Sequence, residues 1–142
     1  MSPKRPICAA AWPHLQRIGI VRRWLRTMTC RRGDIVLVLF PDSNLRTSKL
    51  RPALVVKADQ LDSGLLQTIV AMITSNMARA GHPSRLVVRV AGERANESGL
   101  LMDSVIMTDS LATVHYAEID RVIGAFRDMS DLDAPLRTTL AL

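Results

Sequence analysis

The segment 35–40 is the feature that most narrows what this chain can fold into. Its six residues are all apolar, half of them are β-branched, and the turn-forming residues 41–44 follow directly. A short apolar run that ends at turn residues is typical of a strand buried on both faces. We therefore expect a packed β core that begins at about Gly33.

Further short strands are expected along the rest of the chain. Residues 53–56 predict the second strand, and Pro52 marks its start or an edge because proline lacks a backbone donor. Other apolar segments predict strands at about 68–74, 85–90, 104–107 and 121–126, with polar loops at 41–50 and 75–84. Several short strands at close spacing indicate a small barrel.

A short helix is expected to close the chain over 131–142. Leu132, Leu136 and Leu140 repeat at helical spacing, and Pro135 is tolerable only in the first turn of such a helix. The candidates for its N-cap are Ser130, Asp131 and Asp133.

The first 28 residues differ in composition from the rest and predict a separate extension. They contain six basic residues and no acidic one. Apolar residues at roughly helical spacing among the arginines allow an amphipathic helix, but we prefer a disordered tail or a misassigned start site. We therefore predict two regions, a basic extension at 1–28 and a single folded domain at 29–142.

The charge of the folded part is polarised along the chain. Residues 29–89 contain nine basic and four acidic side chains, whereas residues 90–142 contain four basic and nine acidic ones. A basic surface built from the first half would attract phosphates, although ordinary solvated charges would give the same count.

Several classes of protein do not fit the sequence. Cys8 and Cys30 are far apart and belong to no Cys/His cluster, so we expect no metal and a reduced, cytoplasmic protein. No apolar run is long enough to span a membrane. Glycine-rich phosphate loops and the common hydrolase motifs are missing, so no cofactor is expected.

Polar residues at predicted strand ends are the candidate site. Arg51 could bind a phosphate and stabilise charge on it, and the hydroxyls of Thr74 and Ser75 could position one. Asp109 could accept a proton just after the fifth strand. Each also has an ordinary structural explanation as a surface or turn residue, and spacing alone favours that explanation.

Five segments of the chain resemble toxins of the MazF/PemK family, in the family's order and at similar spacing. They are Arg32-Gly33-Asp34-Ile35-Val36-Leu37-Val38, Lys49-Leu50-Arg51-Pro52-Ala53-Leu54-Val55-Val56, Ile73-Thr74-Ser75, Asp103-Ser104-Val105-Ile106 and Arg121-Val122-Ile123-Gly124. The resemblance covers about residues 31–142.

The resemblance implies a mainly β fold, a small SH3-like barrel of the CcdB/PemK type with a C-terminal helix. It also implies a homodimeric toxin of a bacterial type II toxin–antitoxin system, which cleaves single-stranded RNA without a metal by attack of the 2′-hydroxyl. Its antitoxin would carry an acidic tail. Arg51 and Thr74 match the family's catalytic arginine and threonine, and Asp109 matches the base of PemK-like members.

The loops are expected to contact the RNA. The residues proposed for this role are Arg46, Lys49, Ser75, Arg79, His82 and Arg85. The chain departs from many PemK-like members at Met107 and Ala112, where those members carry arginine. These departures leave open an inactive homologue that only binds the antitoxin. A second alternative is a CcdB-like toxin on the same barrel that binds gyrase.

Overall fold

A computed structural model describes residues 30–41, 46–91 and 97–142 of the chain. In these residues its main elements are β1 (Asp34–Pro41), β2 (Ser48–Val55), β3 (Gln67–Thr74), β4 (Arg85–Val88), β5 (Ser104–His115), β6 (Ile119–Ala125) and α1 (Asp133–Leu140). The predicted class, mainly β with a C-terminal helix, is confirmed. The extension predicted at 1–28 lies outside the described residues. Within them, no helix combines the length and apolar character that a membrane span requires.

The strands form one antiparallel sheet in the order β4-β5-β3-β2-β1-β6. Side chains alternate between its two faces, and each face covers its own apolar cluster. On β3, Val70 and Met72 belong to one cluster, whereas Ala71 and Ile73 belong to the other. Fully burying a valine, isoleucine or methionine side chain contributes about 1.5–3 kcal/mol, so both faces stabilise the sheet.

β2 begins earlier than the sequence predicts. Residues 48–50, expected in a loop, already pair with β1, and Arg51 and Pro52 lie inside the strand. The proline is tolerated there because β3 pairs with β2 only over Ala53–Val55, so Pro52 lies in the stretch that the ladder with β1 alone covers. The strand therefore carries Arg51 on a paired backbone.

β5 is three times as long as predicted. Its expected end at Met107 is a point where the register with β3 shifts, since Met72 is opposite Met107 but Ala71 is opposite Leu111. Residues 108–110 fall in this irregularity, which we call the β5 bulge. The polar residues of the bulge interrupt the apolar pattern, so the sequence did not predict that the strand continues. Asp109 lies within β5 and not after it.

The other boundaries differ by a few residues. β4 ends at Val88 and not at residue 90, and β6 begins at Ile119 and not at residue 121. None of the three predicted residues caps α1, whose N-cap is Leu132 without a side-chain bond. A 3₁₀ helix, Met129–Leu132, runs directly into α1 and takes the place of a side-chain cap.

The predicted helical repeat of leucines holds in part. Leu132 is fully buried and Leu136 packs on the same apolar cluster, but Leu140 is 51% exposed. Pro135 does lie in the first turn of α1, as predicted.

Candidate active site

Arg51 and Thr74 are brought together by the pairing of β2 with β3. Ala53 lies opposite Met72 and Val55 opposite Val70. The ladder ends at this first pair, and Arg51 and Thr74 lie two residues beyond it on their strands, so both lie at the same end of the ladder. A cation and a hydroxyl that are 23 positions apart in sequence thus lie at the same end of two adjacent strands.

A cavity of about 490 Å³ opens at this place, and both residues line it. Ser75 and Ser104 add two more hydroxyls, and the segment 99–102 forms one wall. Leu37, Pro52, Ile73 and Ile123 make the lining partly apolar. A volume of this size suits a small ligand or one unit of a longer one, held by a few polar groups against an apolar wall.

Thr74 is half-buried at the end of β3, where the sequence places it. Its Oγ1 accepts a hydrogen bond from the backbone N–H of Asn76 at 3.2 Å, and the Asn76 side chain in turn accepts from Ala78 N–H at 3.1 Å. The turn therefore fixes the hydroxyl oxygen as an acceptor. Its own proton can still be donated to a phosphate oxygen.

Arg121 is a lining residue that the sequence reasoning did not single out. It lies on β6 opposite Leu37 of β1, and Leu37 is in turn opposite Pro52 of β2. Arg51 and Arg121 thus contribute to the cavity from the two strands that flank β1. Arg121 is 69% exposed and forms only a weak pair with Asp120, at 3.5 Å. Its position at the head of the family-like segment 121–124 was the available signal.

Asp109 does not line this cavity. Its Oδ2 forms an ion pair with Nη2 of Arg85 at 3.0 Å, and its Oδ1 accepts from Nε of the same residue at 3.4 Å. The Arg85 hydrogen bond, opposed by partial burial, holds the pKa of Asp109 below its usual value of 3.8. The structure therefore separates the third predicted catalytic residue from the first two.

The predicted RNA-binding residues fall into two groups. Lys49 lies on β2 two residues before Arg51, so the two side chains share a face, and Arg46 is exposed just before this strand. Arg79 and His82 lie on the segment 76–84 that follows Ser75, and Arg85 begins β4. Lys49 therefore lies near Arg51, Arg85 pairs with Asp109, and Ser75 lines the cavity.

His82 is held by its own segment. Its Nδ1 lies 2.7 Å from Ser84 Oγ and accepts the Ser84 backbone N–H at 3.1 Å. Among the residues that the structure describes, no three His, Cys, Asp or Glu side chains are grouped so that they could hold a metal ion.

Residues 31–139 match the family described as the PemK-like, MazF-like toxin of type II toxin-antitoxin systems. The chain belongs to this family. Endoribonuclease MazF2 of Mycobacterium bovis is 30% identical to it over 119 residues, which are 81% of this chain and 100% of that protein. Endoribonuclease MazF6 of Mycobacterium tuberculosis has the same identity and coverage.

Solved MazF structures share the fold. The Mycobacterium tuberculosis toxin MazF-mt6 matches with a TM-score of 0.59 at 21% identity, covering 77% of this chain and 97% of that one. A mycobacterial endoribonuclease in complex with its cognate antitoxin matches with a TM-score of 0.60 at 16% identity, covering 80% and 96%. MazF from Deinococcus radiodurans gives 0.59 at 15% identity, covering 80% and 97%. The predicted CcdB/PemK-type barrel is thereby confirmed.

Proposed function

We propose that this chain is the toxin of a type II toxin–antitoxin pair and an endoribonuclease that cleaves single-stranded RNA at the cavity lined by Arg51 and Thr74. The observation that carries the proposal is the meeting of these two residues at one cavity. Two endoribonuclease relatives of the same family, each aligned over its whole length, support it.

The proposed step is attack of a ribose 2′-hydroxyl on the adjacent phosphorus. The new O–P bond gives a cyclic phosphate, and the bond to the 5′-oxygen breaks. Arg51 stabilises the charge that grows on the phosphoryl oxygens, because a guanidinium can bind two of them at once. Thr74 donates its hydroxyl proton to one of these oxygens.

Proton transfer in this scheme goes through water. The 2′-hydroxyl proton is lost to solvent and the leaving 5′-oxygen gains one from solvent, since Arg51 is exposed and a guanidinium is a weak acid. No metal ion enters the scheme. The phosphates on either side of the scissile one are held by Lys49, Arg46, Ser75 and Arg121.

The partners follow from family membership and charge. We propose a homodimer in the bacterial cytoplasm whose basic RNA site is covered by the acidic tail of a cognate antitoxin. The excess of basic over acidic side chains in residues 29–89, nine against four, favours such a partner over a basic one. Light scattering should give twice the mass of the chain, and co-purification should recover a small acidic protein. A stable monomer or a basic partner would count against this part.

The folded unit is proposed to be residues 29–142, with 1–28 as an extension that cleavage does not need. The family match, which begins at residue 31, supports this boundary. A variant that starts at residue 29 should cleave RNA at the rate of the full chain. A large loss of activity in a correctly folded shortened protein would move the boundary.

The chemical nature of the product ends and the effect of removing the Thr74 hydroxyl test the proposed step directly. Cleavage of a defined RNA should leave a 2′,3′-cyclic phosphate and a 5′-hydroxyl. Thr74→Ala should slow the reaction by about 100-fold, the loss typical of one transition-state donor, whereas Thr74→Ser should keep most of the rate. Thr113→Ala, at an exposed threonine of β5, is the matched control. A 5′-phosphate product, or full activity in Thr74→Ala, would contradict the scheme.

A further inference from the structure

The segment 75–84 connects the candidate active site with the start of β4. It follows Thr74 directly and carries Arg79 and His82, which are proposed to contact RNA. Its first turn is fixed by Thr74 and Asn76. What fixes its far end therefore affects how RNA meets the site.

Arg85 fixes that far end with three bonds. Nη2 pairs with Asp109 at 3.0 Å, Nε donates to the same carboxylate at 3.4 Å, and Nη1 donates to the backbone carbonyl of Arg79 at 3.0 Å. One guanidinium thus joins the segment to β5 and folds it back onto itself. The Arg85 side chain is only 19% exposed, which reduces the competition from water.

The β5 bulge holds the neighbouring residue as well. The backbone N–H of Thr108 donates to the carbonyl of Ser84 at 3.1 Å, and Thr108 Oγ1 lies 2.6 Å from the same oxygen. Thr108 is fully buried, and its Oγ1 also contacts Thr139 of α1 at 2.8 Å. Two successive bulge residues therefore hold Ser84 and Arg85, and the bulge is itself packed against the C-terminal helix.

Asp109 is badly placed to act on the phosphate at Thr74. Thr74 is opposite Val105, whereas Asp109 lies four residues farther along β5, in the bulge, and does not line the cavity. Both carboxylate oxygens are engaged by Arg85, whose hydrogen bond also holds the pKa of Asp109 low and makes it a weak base. The geometry fits an anchor better than a proton acceptor.

We infer that Arg85 and Asp109 form one clamp that sets the position of segment 75–84, and that both are positioning residues for RNA recognition. The inference rests on the proposed function. The clamp acts through Arg79 and His82, so its loss should weaken RNA binding and relax the choice of cleavage sites. The chemical step at Arg51 and Thr74 should be nearly unchanged.

A double-mutant cycle on the full-length chain tests the inference. Arg85→Ala, Asp109→Asn and the double variant should each raise KM about tenfold with kcat kept, and the double should be no worse than the more affected single. The cleavage pattern on a long RNA should broaden alike in all three. Arg89→Ala is the matched control, because Arg89 forms a comparable pair with Asp103 at 3.1 Å but is 66% exposed.

Two kinetic results would overturn the clamp. If Asp109→Asn alone lowers kcat about 100-fold with KM unchanged, Asp109 is a base of the reaction. If the effects of the two single substitutions multiply in the double variant, the residues do not act as one unit.

A readout that needs no cleavage separates this inference from the proposed function. Amide hydrogen exchange of residues 76–82 should be about tenfold faster in Arg85→Ala and in Asp109→Asn than in the wild type or Arg89→Ala. Unchanged exchange would refute the clamp even in an active enzyme. If the wild type cleaves no RNA but exchange is still faster in both variants, the proposed function is refuted and the clamp is supported.

Discussion

Arg51 is the Cα partner of Val38 in the ladder between β1 and β2, so the candidate catalytic arginine is carried on a paired strand. Val38 is fully buried, whereas Arg51 is exposed together with the other residues at the start of β2, 48–50. A rigid strand fixes the Arg51 backbone more closely than a loop would. Catalytic groups need this kind of support to meet a transition state without rearrangement.

Replacing Arg51 should therefore affect activity and spare the fold. We expect Arg51→Ala to change the free energy of unfolding by no more than about 0.5 kcal/mol, as for most exposed sites. The cleavage rate should fall about 100- to 1000-fold, and Arg51→Lys should recover little because an ammonium lacks the planar fork. Urea unfolding and RNA cleavage rates, with Arg137→Ala as the control, measure both. Full activity in Arg51→Lys would argue against a bidentate role.

Arg121 should act by binding phosphate and not by chemistry. Arg121→Ala is expected to raise KM, leave kcat nearly unchanged, and reduce the slope of log K against log salt by about one unit. Fluorescence titration of a non-cleavable RNA at several salt concentrations measures this slope. Asp120→Asn, which removes the carboxylate paired with Arg121, is the control and should strengthen binding slightly. An unchanged slope in Arg121→Ala would remove this residue from the RNA path.

Gly99 is required by a close approach of two backbones beside the cavity. Its φ is +69°, and a β-carbon there would lie 2.1 Å from the carbonyl oxygen of Ile123. We expect Gly99→Ala to lower the melting temperature clearly, with a loss of about 1–3 kcal/mol. Gly64 has a similar φ of +71° but open space around it, so Gly64→Ala should be the milder change. Equal losses in the two variants would mean that contact with β6 is unimportant.

The pair of Arg85 and Asp109 should make stability depend on pH. Because Arg85 lowers the pKa of Asp109 in the folded state, the unfolded state binds more protons at acid pH. The stabilisation is thus present above the usual carboxyl pKa of 3.8 and is lost as the pH falls through the lowered value. Asp109 is 34% exposed and screened by water, so the contribution at pH 7 is about 1 kcal/mol or less.

Urea unfolding of the wild type and Asp109→Asn at pH 7 and pH 2 measures this contribution. The wild type should be the more stable at pH 7, and the difference should shrink towards zero at pH 2. In the Arg85→Ala background, the change in the free energy of unfolding caused by Asp109→Asn should no longer depend on pH. A gap between wild type and Asp109→Asn that is constant with pH would show that the charge of the carboxylate is not what stabilises the fold.

Strands with a continuous apolar pattern were predictable from the sequence. β1 and β3 were expected at 35–40 and 68–74 and are observed at Asp34–Pro41 and Gln67–Thr74. Apart from the exposed Leu39, the described side chains of these strands are buried or half-buried on both faces, and local composition indicates that directly. β5 was cut short at Met107 because the bulge interrupts the pattern with polar residues, which are held by bonds to distant parts of the chain.

The candidate site was predictable only where one strand carries the signal. Thr74 and Ser75 were correctly expected at the end of the third strand. Arg121 was not singled out, because its place at the cavity depends on β6 lying beside β1, and the order of strands in the sheet is not written in any one segment. For the same reason the sequence did not predict that Arg85 pairs with Asp109, 24 positions away.

Cleavage of a long single-stranded RNA by the purified full-length protein in EDTA tests the central claim most directly, with Arg51→Ala measured beside the wild type. We predict cuts at recurring short sequences in the wild type and their loss in Arg51→Ala at equal folded concentration. Intact RNA with a correctly folded wild type, or equal cutting by both proteins, would contradict the account.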